Sequence, residues 1–374
     1  MKINVFSLLC IFYIFTLSNC DNNVNSDDGH EIAQHEIAPI ESWNYSSVAF
    51  IARITNNSAE WSLCIMDSSG NNMHKIVEMT TTCSSPIRSN SGTKLLFATY
   101  TSDYYYELYS VNTDGSELTL IDRGYLTGAA WSPDDKYIAY VKYSDAYWNS
   151  CDMILYDTSN KTSKVLNVTG KEKHSPRFSP DGKQIAYCAT VPSDTLFIGS
   201  HRNHHIYKVD ITGENNQLII NEASYPQWSP SGDKILYLSS GIDGSSQIFA
   251  ANADGSNRKQ LTSSVSPIWF DTGFPRDGNE DPHWTPDGQK IVYVSWENQR
   301  PEIFIMNADG SHKKRLTTAE LRDENPEITP DGEYILFSSR RSDMINNGIC
   351  IMKLDGSNRR VLYKEGGIYP IACK

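Results

Sequence analysis

Pro282-His283-Trp284-Thr285-Pro286-Asp287-Gly288 opens a sentence of sequence that this chain says again and again. It runs on through Ile291-Val292-Tyr293, Ile303-Phe304-Ile305-Met306, Asn307-Ala308-Asp309-Gly310-Ser311 and Leu316-Thr317. Three landmarks track the repeat independently. An aromatic closes an Ile-x-aromatic segment at Phe50, Phe97, Tyr140, Tyr187, Tyr237, Tyr293 and Phe337, at steps of 43 to 56 residues by subtraction. A turn signal sits at Ser69-Gly70, Asp114-Gly115, Ser159-Asn160, Thr212-Gly213, Asp254-Gly255, Asp309-Gly310 and Asp355-Gly356. A Pro-x-Trp-Ser-like segment begins at Pro86, Ala129, Pro176, Pro226, Pro282, Pro326 and, in degenerate form, Pro370. Self-similarity at such a period decides the fold before any other feature is weighed.

Each unit reads as four short strands, A to D. Strand A is the Pro-x-Trp-Ser segment, and Ser-Pro-Asp-Gly after it is a tight turn in which Pro fixes φ and Gly accepts a positive φ. Strands B (Ile-Ala-Tyr) and C (Ile-Phe-Ile-Met) alternate or run apolar over strand lengths. Asp-Gly between C and D signals a hairpin, and D is a weak Leu-Thr segment. Four-stranded sheets at this period are propeller blades. The third landmark is out of phase: the first unit lacks a strand A, and the C-terminal tail supplies one. Residues 43–374 are therefore expected to form an all-β, seven-bladed propeller, closed by pairing 369–373 with 47–52. Trp43 offers the start of a further degenerate strand A, which leaves six and eight blades open.

The Trp-Ser-Pro-Asp-Gly, Ile-Ala-Tyr and Asn-Ala-Asp-Gly-Ser pattern resembles the WD40-like repeat of the TolB propeller family over residues 46–373. The resemblance is specific for fold and not for activity. It implies a scaffold shared by TolB, by the non-catalytic domain of prolyl oligopeptidase-type peptidases and by oligogalacturonate lyases. No segment resembles the separate N-terminal α/β domain of TolB, so a Tol-system role stands behind a general binding role.

Residues 1–19 carry Lys2 and an apolar run from Val5 to Leu17, the pattern of a secretion signal. Leu17-Ser18-Asn19-Cys20 resembles a bacterial lipoprotein box, which makes Cys20 the expected lipidation site. Residues 20–42 form a polar tether with little to bury. The formal charge of −12 argues against nucleic acid and against adhesion to anionic lipid. Past Cys10 and Cys20, six cysteines remain: Cys64, Cys83, Cys151, Cys188, Cys350 and Cys373. In an exported chain they permit disulfides; Cys151 and Cys188 are the first pair to test, and buried free thiols are the other reading.

Strand alternation puts the A–B and C–D turns on one face and the B–C and D–A connections on the other. The first face is short and uniform. The second carries long irregular connections, where function usually sits. It offers Asp103 to Tyr106, Tyr143 to Trp148, Cys188 to His204, Trp269 to Asp277, Trp296 to Arg300 and Ser339 to Asp343. Aromatics beside polar groups suit a glycan or a peptide. The expected binding residues are Trp148, His201, His204, Trp269, Arg276, Trp296 and Arg340.

His201, His204 and His205 resemble a metal cluster, but alternation turns His205 away from His204 and no carboxylate stands at fixed spacing. His283 lies in an inner strand, where lining the channel is one reading and a structural role the leading one. The Asn-Ala-Asp-Gly-Ser turns lack the distal Glu of a calcium loop, and no Gly-x-Ser-x-Gly elbow occurs. No metal, cofactor or catalytic residue is expected. The leading expectation is an exported, membrane-tethered, monomeric propeller at the bacterial cell envelope. It would bind an envelope protein or a glycan or peptide ligand without catalysis. The alternatives are a metal-dependent polysaccharide lyase or other glycan-processing enzyme, and a Tol-like envelope partner. By resemblance, a lyase needs inward histidines on several blades; His201, His204 and His283 occupy two.

Overall fold

The computed structural model describes residues 46–53, 61–79, 84–101, 103, 105–144, 150–191, 204–241, 245–263, 278–298, 300–318, 322–340 and 347–374. They form strands and turns, with no helix among the described residues. The first sheet has the order β27 (Gly367–Cys373), β1 (Ser47–Ala52), β2 (Trp61–Asp67), β3 (His74–Met79). Next come β4 (Ile87–Arg88), β5 (Lys94–Tyr100), β6 (Tyr106–Asn112), β7 (Thr119–Trp131), β8 (Tyr137–Tyr143), β9 (Cys151–Asp157) and β10 (Thr162–Leu166), joined in one seven-stranded sheet. Strand β7 explains the join. It pairs with β6 through Thr119–Gly124 and with β8 through Tyr125–Trp131, so one strand is outermost in one blade and innermost in the next.

Four more four-stranded sheets follow in chain order. They are β11 (Lys171–Phe178) to β14 (Gln217–Ile220) through β12 (Gln184–Thr190) and β13 (His205–Asp210), and β15 (Ser224–Trp228) to β18 (Lys259–Gln260) through β16 (Lys234–Ser240) and β17 (Ser246–Asn252). Then come β19 (Asn279–Trp284) to β22 (Lys314–Arg315) through β20 (Lys290–Ser295) and β21 (Glu302–Asn307), and β23 (Arg322–Ile328) to β26 (Arg360–Tyr363) through β24 (Tyr334–Arg340) and β25 (Gly348–Lys353).

The expected closure is present. β27 runs antiparallel to β1, with Ser47 opposite Cys373, Val48 opposite Ala372 and Ala49 opposite Ile371. This hides an edge that would otherwise expose unpaired amides. Packing closes the ring as well. Val48 and Phe50 of β1 share a core with Leu336 of β24 and Ile349 of β25, which joins the first sheet to the last. The same layering recurs between successive sheets, as where Met153 and Leu155 meet Tyr187 and Tyr207. Burying one such large side chain contributes about 1.5–3 kcal/mol.

Turn chemistry explains why one face is uniform. In the A–B turns, the hydroxyls of Ser132, Ser179, Thr285 and Thr329 donate to Asp134, Asp181, Asp287 and Asp331, each at 2.6 Å. The same hydroxyls accept the amide N–H five residues on. A Cβ placed on Gly182, Gly232, Gly288 or Gly332 would touch the proline of the preceding blade's turn, at 3.4–3.6 Å. At the closure Lys374 takes that place: it packs on Gly92, and its N–H donates to the Gly92 carbonyl at 3.0 Å. Asp114, Asp254, Asp309 and Asp355 fasten the C–D turns by accepting the N–H of the serine two residues on.

Tryptophans of strand A stitch neighbouring blades. Trp131 Nε1 donates to the Ile87 carbonyl at 3.2 Å, and Trp228 Nε1 to the Arg177 carbonyl at 3.1 Å. Cys64, Cys151, Cys188, Cys350 and Cys373 are buried free thiols, so the Cys151–Cys188 disulfide is not formed. Both sulfurs are engaged elsewhere. Cys151 Sγ accepts the Lys173 N–H and Cys188 Sγ the Tyr225 N–H, both at 3.2 Å. Cys83 lies outside the described residues.

Candidate functional site

The B–C/D–A face is polar, aromatic and heavily cross-braced. Trp148, His201, Trp269 and Arg276 lie outside the described residues, as do Cys20 and the segment before 46. His204, just before β13, meets the His174 ring edge-on at a centroid distance of 4.6 Å. His174 also faces Tyr225 at 5.8 Å. His205 points elsewhere, with Nδ1 accepting the Glu222 N–H at 3.2 Å, as strand alternation requires. No group of three or more metal-ligating side chains forms among the described residues. Tyr105 packs on Tyr125 and Tyr106 on Tyr100 as tilted ring pairs, each at 5.0 Å, at the strand ends.

Trp296 departs from the expectation of an exposed anchor. It is 3% exposed. Its Nε1 donates to Glu280 Oε1 at 2.5 Å, and the Arg322 guanidinium lies over its ring at 5.4 Å. The indole is consumed in joining the β19/β20 sheet to β23. Arg340 does stand exposed, at the end of β24 and directly opposite Arg322 across the β23–β24 ladder. Arg322 is partnered by Glu324 at 3.6 Å and by the Trp296 ring, which leaves Arg340 as the exposed charge of the two. Beneath it, Asp323 accepts two bonds from Arg359, at 2.9 and 3.2 Å, and Ser339 accepts a third at 3.0 Å.

A second polar zone, of which the sequence singled out only His283, lies along the inner strands. Residues preceding the strand-A proline take a left-handed backbone at Ser175, Tyr225, Asp281, Asn325 and Tyr369, with φ between 50° and 55°. Each coincides with an interruption of the A–B ladder. This is a bulge, which re-aims the side chains around it. At Asp281 it lets residues two apart converge, and His283 Nε2 meets Asp281 Oδ1 at 3.1 Å.

The residue after the proline sits at one height in every inner strand, since each is opposite the residue that precedes the strand-B aromatic. Arg177, Gln227, His283 and Glu327 lie opposite Ala186, Leu236, Val292 and Leu336. Ile87, Ala130 and Ile371 hold the same position opposite Leu96, Ala139 and Ala49. At this height the inner strands are thus polar from Arg177 to Glu327 and apolar at Ile87, Ala130 and Ile371, the last two buried in cores between sheets. The signal was available in the sequence as a column of the repeat, readable once the copies are stacked.

The charged groups of these inner strands shift one another's pKa values. Burial disfavours the His283 imidazolium, yet Asp281 and Glu327 outweigh burial and hold its pKa above the ordinary 6.5. Burial raises the Glu327 pKa, against the pull of His283 and Arg88. Burial lowers the Arg177 pKa, against the attraction of Cys188 and Asp281. Arg88 and Glu327 belong to sheets separated by the closing one, and Arg177 and Asp281 to sheets separated by β15–β18.

The repeat matches the TolB beta propeller domain family over residues 101–368. The chain belongs to this family. Among curated relatives, the Tol-Pal system protein TolB of Francisella tularensis subsp. mediasiatica is 26% identical over 279 residues, covering 71% of this chain and 59% of the relative. An uncharacterized protein of Agrobacterium fabrum is 23% identical over 210 residues, covering 54% of this chain and 62% of its own length. The chain spans about three-fifths of the length of these family members.

Solved propellers share the fold. TolB from Acinetobacter baumannii matches with a TM-score of 0.50 and 19% identity, over 87% of this chain and 82% of its own. The propeller domain of the Trilobed protease from Pyrococcus furiosus matches at 0.64 and 13%, over 86% and 95%. An oligogalacturonate lyase in complex with manganese matches at 0.59 and 16%, over 86% of each chain.

Proposed function

We propose that this family member is an exported, lipid-anchored propeller of the bacterial cell envelope that binds a protein, peptide or glycan partner on its B–C/D–A face without catalysis. Counting β7 in both of its sheets gives seven sets of four strands, and we read the domain as a monomeric ring of seven blades over residues 43–374. Residues 1–19 act as the signal, Cys20 as the acylated residue and 20–42 as the tether. The Tol-Pal relatives support an envelope protein as the partner class.

The observation that carries this reading is the contrast between faces. One is sealed by short turns whose hydroxyls, carboxylates, prolines and glycines bond or pack on each other. The other gathers His174 and His204 and the braced Arg322 and Arg359. Aromatic and Arg groups dominate binding when a partner desolvates them. Trp148, Trp269, Arg276, His201, His204 and Arg340 remain the binding residues of this proposal, and Trp296 takes a buried supporting role between Glu280 and Arg322. In cells, a Cys20→Ser variant is expected to leave the membrane fraction and become soluble. Retention of that variant at the membrane would contradict the anchor.

A further inference from the structure

One height of the repeat on the B–C/D–A face is held by arginine in two neighbouring blades. Arg340 closes β24 three residues past Phe337, and Arg53 follows β1 three residues past Phe50. In the next blade Tyr100 closes β5 three residues past Phe97. The strands beneath pack on one another. Phe50 and Ala52 of β1 share a core with Leu336 of β24, and Ile51 of β1 shares another with Phe97 of β5. Arg340, Arg53 and Tyr100 therefore hold one position on three consecutive blades.

The protein neutralises neither arginine. Arg123, Arg315, Arg322 and Arg359 each meet a carboxylate, at 3.0, 3.5, 3.6 and 2.9 Å. Among the described residues no carboxylate stands at ion-pair distance from Arg53 or Arg340. Arg53 lies instead over the Trp61 ring, with Cζ 4.7 Å from its centroid. Its Nε and the Trp61 Nε1 are both screened from water, and neither makes a hydrogen bond with the described residues. Donors left without an acceptor cost free energy in the protein alone. Stacking engages the face of a guanidinium and leaves its hydrogen-bonding edge for a partner.

We propose that Arg340, Arg53 and Tyr100 form the spot where the B–C/D–A face receives an acidic peptide segment of its protein partner, a reading that rests on the assignment of binding to that face. Each guanidinium takes an Asp or Glu carboxylate through paired N–H bonds. The half-buried Tyr100, tilted on Tyr106 at 5.0 Å, adds an apolar ring and a hydroxyl. The molecule as a whole is acidic, with a formal charge of −12. An acidic segment is therefore repelled elsewhere and steered to this spot. Stacked sheets lie about 10 Å apart. Three residues of an extended, polyproline-like chain advance about 9 Å and return to the same side. Carboxylates three residues apart thus meet neighbouring blades.

Purified mature protein is titrated with dye-labelled nine-residue peptide amides that repeat Glu-Ser-Gly, Gln-Ser-Gly or Lys-Ser-Gly, with trigalacturonate as an acidic glycan competitor. Fluorescence anisotropy reads affinity. The Glu peptide should bind, and the Gln and Lys peptides should not. Arg340→Gln and Arg53→Gln should each weaken it at least about fivefold, the scale of an interface anchor. Arg53→Lys should keep more affinity than Arg53→Gln. Lys183→Gln removes an equal charge, 80% exposed on the opposite face, and should change nothing. If Arg53→Gln fails to fold, Arg340→Gln, at an exposed site, decides the matter. Equal binding of the Glu and Gln peptides, no binding at millimolar peptide, or an equal loss in Lys183→Gln would overturn the proposal. So would displacement by trigalacturonate at lower concentration than by unlabelled Glu peptide. A partner crosslinked at position 340 together with no binding of the Glu peptide would overturn the acidic class and leave the face assignment standing.

Discussion

Asp135 stands where the other A–B turns place glycine, and its carboxylate accepts the backbone N–H groups of Asn90 and Ser91, at 2.6 and 2.9 Å. Asn90 stands where the other turns place proline. The two exceptions explain each other. Without proline, the preceding turn has an N–H to satisfy and no ring to pack. Asp135, at φ 57°, crosses the blade boundary to supply the acceptor. Asp135→Ala should therefore destabilise by about 1–2 kcal/mol, from lost charge-assisted bonds at an exposed site. The double variant Asn90→Pro with Asp135→Gly restores the common pattern and should return near the parent. Denaturant melts of the four proteins measure the coupling, and strict additivity would refute it.

The C-terminal strand should be essential to the cooperative fold. Deleting 367–374 removes β27, the partner of β1, and leaves the first sheet with three strands. A single sharp thermal transition should give way to a broad or lowered one. A truncated protein that melts like the full chain would show that the β27–β1 pairing contributes little.

How much of this was legible follows from what repeats. Strand positions, the closure and the two-faced layout came from landmarks that recur at a fixed phase, because each is imposed by turn stereochemistry or by a shared core. Binding residues do not recur, so Trp296 was placed by its loop position alone and proved to be buried. Nothing local distinguishes it from an exposed tryptophan. The Glu280 and Arg322 that cover it are 16 and 26 residues away in sequence, by subtraction. Of the inner-strand polar groups only His283 was singled out, because the others sit inside the repeat, where the consensus hides the exceptions at Arg177 and Glu327.

Trp296→Ala is accordingly expected to act on stability. Removing a buried indole costs about 3–5 kcal/mol, and it leaves Glu280 and Arg322 without their contact. The melting temperature should fall by several degrees or more. A variant with an unchanged melt and lost partner binding would return Trp296 to the binding surface.

Stability should fall toward acid from the turn face. Hydrogen bonds from Ser116, Ser256, Ser311 and Ser357 hold the pKa values of Asp114, Asp254, Asp309 and Asp355 below the ordinary 3.8. A lowered folded pKa gives stability that is complete above the unfolded value and disappears as pH falls through the folded one. His283 has the opposite sign. Its pKa is raised, so its contribution is complete below 6.5 and declines as pH rises through the folded value. Melts of the parent should weaken below about pH 4. A variant with all four aspartates changed to Asn should start lower at neutral pH and show a shallower acid limb. His283→Gln should flatten the decline on the alkaline side alone. An acid limb of unchanged slope would show that these turns do not set the acid sensitivity.

The division of labour between faces is the central claim, and site-specific crosslinking in cells tests it most directly. A photo-reactive amino acid is placed at position 340, exposed on the B–C/D–A face, and separately at position 309, in a C–D turn on the opposite face. Position 340 should give a discrete adduct with an envelope component at an unchanged melting temperature, and position 309 should give no adduct and a lowered melt. An adduct from 309 with none from 340 would contradict the claim.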